Sequence, residues 1–147
     1  MSKNYDASCF YCTEDERQTA LMEKICELAH SNVFFFRDQK NPGRCIIACK
    51  EHITEYYKMP DEMLTGFMRE MAAVTRAIDE LYHPDKINYA TYGDLVTHLH
   101  MHLVPKYKDG VGWGGPFVDN VEKVFLPEET FRTQLDALKR KILEYAK

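Results

Sequence analysis

The stretch His98-Leu99-His100-Met101-His102-Leu103 alternates polar and apolar residues with a period of two, and no other feature constrains the fold as strongly. A strand sends successive side chains to opposite faces. Three of the chain's six histidines would then share one face, while Leu99, Met101 and Leu103 pack into a core on the other. On a helix the same residues would fan around the axis. With a rise of about 3.3 Å per residue, neighbouring imidazoles on the strand stand roughly 6–7 Å apart, a spacing suited to reading one polyanion.

The remaining segments provide partners for such a strand. Residues 33–36 and 45–49 are short apolar runs separated by Asp38-Gln39-Lys40-Asn41-Pro42-Gly43, a turn-rich stretch that predicts an antiparallel pair. Residues 87–92, a turn at Gly93-Asp94 and residues 97–105 predict a second hairpin that contains the histidines. Residues 121–126 are expected to add an edge strand. Thr13 and Glu16 have capping-box spacing, and Leu21, Met22, Ile25, Leu28 and Ala29 recur at helical intervals, so 13–30 reads as a helix covering the sheet. From Pro60 the series Met63, Leu64, Phe67, Met68, Met71, Val74, Ile78, Leu81 keeps the 3.6-residue period until His83-Pro84 ends it. Phe131, Leu135, Leu138 and Ile142 build a closing helix over 127–146. Hairpin strands with helices between them predict an α+β fold, an antiparallel meander sheet of about five strands with packed helices.

A chain of 147 residues with 45% hydrophobic content is expected to form one domain over 1–147. The net charge of -4 argues against long nucleic acid as a partner, since such binding draws on many phosphate contacts, but it allows a small phosphorylated ligand. Met1-Ser2-Lys3-Asn4 is polar, and no apolar run approaches the roughly 18–20 residues of a membrane span. No membrane association is expected, and a cytoplasmic location fits. Five cysteines without a secretion signal read as reduced thiols or metal ligands rather than a disulfide framework.

Two chemistries suit the histidine row. Neutral imidazoles at i and i+2 on a strand can bind zinc. One imidazole can instead attack phosphorus while its neighbours donate hydrogen bonds to phosphate oxygens. Against both stands the plain reading of three surface or core-capping histidines. Cys9-Phe10-Tyr11-Cys12 is a CxxC pair open to a metal, a redox or an inert reading, and no βαβ unit follows it to favour redox. One pair cannot close a tetrahedral site, so His52 is a candidate third ligand and a member of the histidine row the fourth. His30 and His83 are assigned to helix C-termini, where an imidazolium gains from the macrodipole.

His98-Leu99-His100-Met101-His102-Leu103-Val104 resembles the HφHφHφφ signature of the histidine triad (HIT) family, where φ is hydrophobic. The resemblance extends to Asn41-Pro42-Gly43-Arg44-Cys45-Ile46-Ile47-Ala48-Cys49-Lys50-Glu51-His52-Ile53, to Lys86-Ile87-Asn88-Tyr89 and to Gly93-Asp94-Leu95-Val96. Pro105-Lys106-Tyr107 with Trp113-Gly114-Gly115-Pro116-Phe117 is similar to the loop of a bacterial, dinucleoside polyphosphate hydrolase-like branch.

The resemblance implies hydrolysis or transfer of a nucleoside monophosphate from a phosphoanhydride or phosphoramidate, with a purine nucleotide such as a diadenosine polyphosphate as substrate. It makes His100 the nucleophile that forms a nucleotidyl-histidine, and His102 a donor to the phosphate oxygens. Asn88 would bind the ribose or phosphate end, and backbone amides near Gly93 and Val96 would add donors. It also implies a structural zinc ion on Cys9, Cys12, His52 and His98, with 1–13 as the zinc-binding N-terminal coil, and a homodimer in which Trp113 reaches the partner's site. Leu95 lacks the hydroxyl common at its position, and Asp94 would place a carboxylate near phosphate. Arg44 replaces a second histidine of some relatives, and Lys106 an arginine. A non-catalytic nucleotide-binding module, and a zinc hydrolase with the triad as ligands, are the alternatives.

Overall fold

The computed structural model describes residues 4–147; residues 1–3 of the expected N-terminal coil lie outside the described residues. In chain order the elements are α1 (Phe10–Thr13), α2 (Glu16–Thr19), β1 (Met22–Glu27), β2 (Ser31–Phe36), β3 (Cys45–Cys49), a 3-10 turn at Tyr56–Lys58, α3 (Asp61–Tyr82), β4 (Lys86–Ala90), β5 (His100–Lys106) and α4 (Glu128–Tyr145). The five strands form one antiparallel sheet in the order β1-β2-β3-β5-β4. The histidine strand therefore lies inside the sheet, between β3 and the edge strand β4. No helix among the described residues is long and apolar enough to cross a membrane.

The alternation read from the sequence holds across the sheet. Val33, Phe35, Cys45, Ile47, Met101 and Leu103 are buried against Phe67, Val74, Ala77 and Ile78 of α3 and Phe131, Leu135, Leu138 and Ile142 of α4. Their neighbours Phe34, Ile46 and Ala48 point the other way, onto a smaller cluster with Met22, Cys9 and Tyr11. The helices thus cover one face only. The other is left to short N-terminal turns and to the histidines.

Residues 13–30 do not form the expected helix. Asp15, rather than Thr13, caps the short α2 by accepting from the Arg17 amide at 3.0 Å. The chain then enters β1, which pairs Met22 with Phe36 and Lys24 with Phe34 before the register shifts between Lys24 and Cys26. The extra residue turns Ile25 and Cys26 both toward the main core, whereas Met22 faces the smaller cluster. Apolar residues at 22, 25, 26 and 28 consequently mimic the i, i+3, i+4 spacing of a helix. With no helix there, His30 lies in the β1–β2 turn, where its ring closes over Gly66. His83 does end α3, in the left-handed region at φ 51°.

The fifth strand is β1 and not 121–126. That segment makes only an isolated bridge, Asp38 with Phe125, and Val121, Val124 and Phe125 remain exposed. Two further boundaries differ from expectation. Residues 10–13 of the N-terminal coil form the helical turn α1, and β5 begins at His100, so His98 stands in the approach to the strand. The β2–β3 connection needs glycine at Gly43: its φ is +94°, and a Cβ there would come within 2.8 Å of the Tyr82 ring.

Candidate active site

Register fixes what shares the open face. In β5 the side chains of His100, His102, Val104 and Lys106 alternate with the core residues, and no bulge interrupts the pairing with β3 or β4. Ala48 lies opposite His100, Ile46 opposite His102, Ala90 opposite His102, Asn88 opposite Val104 and Lys86 opposite Lys106. Arg44 enters the same face just before β3. The face runs from a cysteine–histidine group at one end of β5, through two central histidines, to a basic end at Lys106.

At the first end, one ligand atom each from Cys9, Cys12, His52 and His98 lies within 4.8 Å of all the others. His98 Nε2 donates to the carbonyl of Cys49 at 2.6 Å, so in the neutral ring Nδ1 carries a bare lone pair. That Nδ1 lies 3.3 Å from His52 Nδ1 and 3.6 Å from Cys12 Sγ, and Cys12 Sγ lies 3.5 Å from His52 Nδ1. Zinc bonds of about 2.0–2.1 Å to nitrogen and about 2.3 Å to sulfur give tetrahedral edges near 3.3–3.4 Å and 3.6 Å. The donor set therefore fits a tetrahedral metal ion. The Asp6 carboxylate stands 3.8 Å from His52 Nε2, an outer-shell position that would orient the ring. Burial is the main cause raising the Cys12 thiol and lowering His98 to about 4. A metal would supply the charge that holds both thiols ionised.

The central pair is organised differently. His100 Nδ1 donates to the carbonyl of His98 at 2.7 Å, which leaves Nε2 as the unprotonated nitrogen. Burial holds this imidazole below its ordinary pKa, so it stays neutral and nucleophilic near pH 7. The Tyr11 ring stacks on it, with centroids 4.9 Å apart and planes at 29°. His102 has the opposite tautomer. A guanidinium can only donate, and Arg44 Nη2 lies 3.1 Å from His102 Nδ1; neutral His102 must therefore carry its proton on Nε2. Burial first, then the positive charge of Arg44 and the His100 ring, hold His102 down to about 3. The two rings are 5.2 Å apart, one offering a lone pair and the other a donor.

Arg44 is 1% exposed. Its Nη1 donates to Asp119 at 2.7 Å, its guanidinium lies over the Phe36 and Phe117 rings, and its Nε has no partner. The segment that provides Asp119 and Phe117 also places Gly115 O on Lys106 Nζ at 2.6 Å. The glycine-rich loop is thereby fastened over the basic end of the face.

The structure gathers Cys9, Cys12, His52 and His98 into one group and sets His100, His102 and Asn88 on one face. Asn88 Oδ1 accepts from Lys106 Nζ at 3.4 Å. Gly93 and Val96 lie in the connection between β4 and β5, where Val96 packs against the cluster containing Cys9 and Tyr11. Among the described residues neither amide donates to a protein acceptor. Leu95 points into solvent at 97% exposure, and Asp94 is exposed. Sequence reasoning passed over Tyr11, Asp6, Asp119 and the part played by Arg44. Only Tyr11, enclosed between the two cysteines, and Arg44, standing where some relatives have histidine, gave any signal.

The sequence model of the HIT domain matches residues 17–109. The chain is 29% identical over 111 residues to the adenosine 5'-monophosphoramidase hnt1 of Schizosaccharomyces pombe, covering 72% of this chain and 83% of that protein. Its fold is similar to that of a histidine triad protein from Marinobacter aquaeolei VT8, with a TM-score of 0.80, 26% identity, and coverage of 89% of this chain and 96% of that one. It also resembles a zinc-bound histidine triad family protein from Mycobacterium smegmatis, with a TM-score of 0.66, 21% identity, and coverage of 95% and 98%.

Proposed function

This chain belongs to the HIT domain family, and from that premise we propose that it is a nucleotide hydrolase releasing a nucleoside monophosphate from a phosphoanhydride or phosphoramidate. The observation that carries the reading is the hydrogen bond from His100 Nδ1 to the His98 carbonyl, which aims a bare Nε2 at the open face. In the first step the Nε2–phosphorus bond forms as the bond to the leaving group breaks; the leaving group departs with the bonding electron pair and, when it is an amine, takes a proton from solvent. The ring becomes cationic, and the His98 carbonyl stabilises its remaining N–H. Water then displaces His100 from phosphorus, giving the monophosphate and the free imidazole. His102 Nε2–H donates to a phosphate oxygen throughout, an oxyanion-type contact that strengthens as charge develops.

In this reading Arg44 is a positioning residue acting through His102. Arg44→Met keeps the bulk and removes the donor; it is expected to lower kcat by roughly 10²-fold, the scale of losing one oriented oxyanion donor, with a smaller change in KM. Nitrogen NMR separates this from a packing defect. His102 should stay in the Nε2–H form in wild type below pH 6, and should titrate at higher pH in the variant, because the facing cation is gone.

Cys9, Cys12, His52 and His98 would hold a zinc ion whose chemistry is structural, tying the N-terminal turn to the approach of the catalytic strand, since four protein ligands leave no open position. A zinc hydrolase built on all three histidines has no support in this arrangement, because only His98 of the three joins the cysteine group. A homodimer belongs to the same proposal, with β4 at the sheet edge and its Tyr89 exposed. The exposed Leu95, lacking a phosphate-holding hydroxyl, favours one second reading, a nucleotide-binding module without turnover. Purified protein is incubated with a purine nucleoside 5'-phosphoramidate and with a dinucleoside polyphosphate. Release of the monophosphate is expected from at least one; tight monophosphate binding with no release from either would select the second reading.

A further inference from the structure

The basic end of the active face contains a cation with no counter-charge. Lys106 is 2% exposed, and its Nζ donates only to the Gly115 carbonyl at 2.6 Å and to Asn88 Oδ1 at 3.4 Å. Among the described residues no carboxylate pairs with it. The contrast with its neighbours is informative: Arg44 has Asp119, and the buried Lys40 has Asp38 at 3.0 Å. An ammonium ion withdrawn from water is unfavourable unless charge and hydrogen bonds compensate. Two neutral acceptors fill part of that need and leave the charge unanswered.

Lys106 also lines a cleft of about 330 Å³ whose other walls are Lys86, Asn88, Trp113, Gly114 and Gly115. It contains two ammonium groups, an amide and an indole, with no acid. Lys86 is the cross-strand partner of Lys106, so both charges project from one rung of the sheet. The cleft opens on the face of His100 and His102, four residues further along β5 than His102 and on the side away from the cysteine–histidine group. From His100, the residue that would hold phosphorus, Lys106 is six residues away, about 20 Å along the strand, and its Nζ reaches back to Asn88, the cross-strand partner of Val104, so a leaving group needs a chain of phosphates to meet it, and ammonia or a small amine cannot.

We propose that the cleft of Lys106, Lys86 and Asn88 binds the phosphate chain of the leaving group, which makes polyphosphate substrates, rather than phosphoramidates, the class this site is built to select. The proposal rests on the hydrolytic reading above for its position in the reaction. The binding itself does not depend on that reading. A phosphorylated leaving group would bring negative charge to Lys106 and Lys86 while Trp113 covers the cleft, and Asn88 would keep Lys106 Nζ aimed into it. The Gly115 carbonyl holds the ammonium in place until the ligand arrives.

Two measurements test the assignment. The first compares kcat/KM for a dinucleoside polyphosphate with kcat/KM for a nucleoside 5'-phosphoramidate in wild type, Lys106→Met and Lys106→Arg. The polyphosphate-to-phosphoramidate ratio is expected to fall tenfold or more in Lys106→Met and to recover most of that loss in Lys106→Arg. A ratio unchanged within twofold, with both activities lowered together, would show that Lys106 only fastens the glycine loop, and would overturn the proposal. The second titrates inorganic tripolyphosphate by calorimetry into the full chain bearing His100→Ala, where no hydrolysis can confuse the result. Binding that weakens with salt and drops at least tenfold on adding Lys106→Met supports the subsite even if the hydrolytic reading fails. Equal binding with and without Lys106 removes it.

Discussion

Replacing His100 with alanine is expected to lower kcat by about 10⁴–10⁶-fold, the range found when a covalent nucleophile is deleted from an enzyme that depends on one. No neighbour can substitute. His102 has its Nδ1 occupied by Arg44 and its Nε2 protonated, and His98 has turned its lone pair into the cysteine group. The loss should fall on the chemical step, because nucleotide contacts through His102, Asn88 and the basic cleft remain. His100 is buried beneath Tyr11, so a thermal melt of the variant must accompany the kinetics. A variant that melts within a few degrees of wild type and binds monophosphate normally, yet does not turn over, is the expected combination. Full activity in a folded His100→Ala protein would leave the mechanism without its nucleophile.

Loss of the metal group is expected to have the second largest effect, and on stability rather than chemistry. Zinc-finger peptides gain about 10–16 kcal/mol of apparent binding energy from a four-ligand site. This chain has a separate core formed by α3, α4 and the sheet, so only the N-terminal turns depend on the metal. Cys12→Ser, or thorough chelation, is expected to cost about 3–5 kcal/mol and to lower Tm by roughly 10 °C. The loss should be concentrated there. Amide exchange should rise over residues 4–13 and around His52 while α3 and α4 stay protected. Elemental analysis of freshly purified protein should find one zinc ion per chain. Absence of metal together with an unchanged melt after Cys12→Ser would refute the metal reading.

How far the sequence could be read depended on whether a signal was local. The alternation from His98 to Leu103 was legible because β5 lies in the sheet without a bulge, so the period of two survives intact. β1 was misread for the converse reason: the register shift after Lys24 turned a strand pattern into one with helical spacing. The segment 121–126 has strand-like composition but, among the described residues, forms only an isolated bridge at Asp38, with Gln39 N donating to Val124 O beside it. His98 and His100 share a face but not a task, and the division follows from two backbone carbonyls, Cys49 O and His98 O, that composition cannot show. The metal group draws on residues up to 89 positions apart, Cys9 to His98; ligand chemistry suggested Cys9, Cys12, His52 and some member of the histidine row, and family resemblance singled out His98. Arg44 and Asp119 meet across 75 residues, and their joint hold on His102 becomes visible only once β3 is in register with β5 and the loop has closed.

The central claim is that His100 forms a covalent bond to phosphorus, and the most direct test is a rapid-quench single turnover with enzyme in excess over a phosphorus-labelled substrate. An acid-labile, base-stable nucleotidyl adduct that appears before monophosphate release and maps by peptide mass spectrometry to His100 is the expected result. Release of monophosphate with no adduct at any time, or an adduct on another residue, would contradict the account.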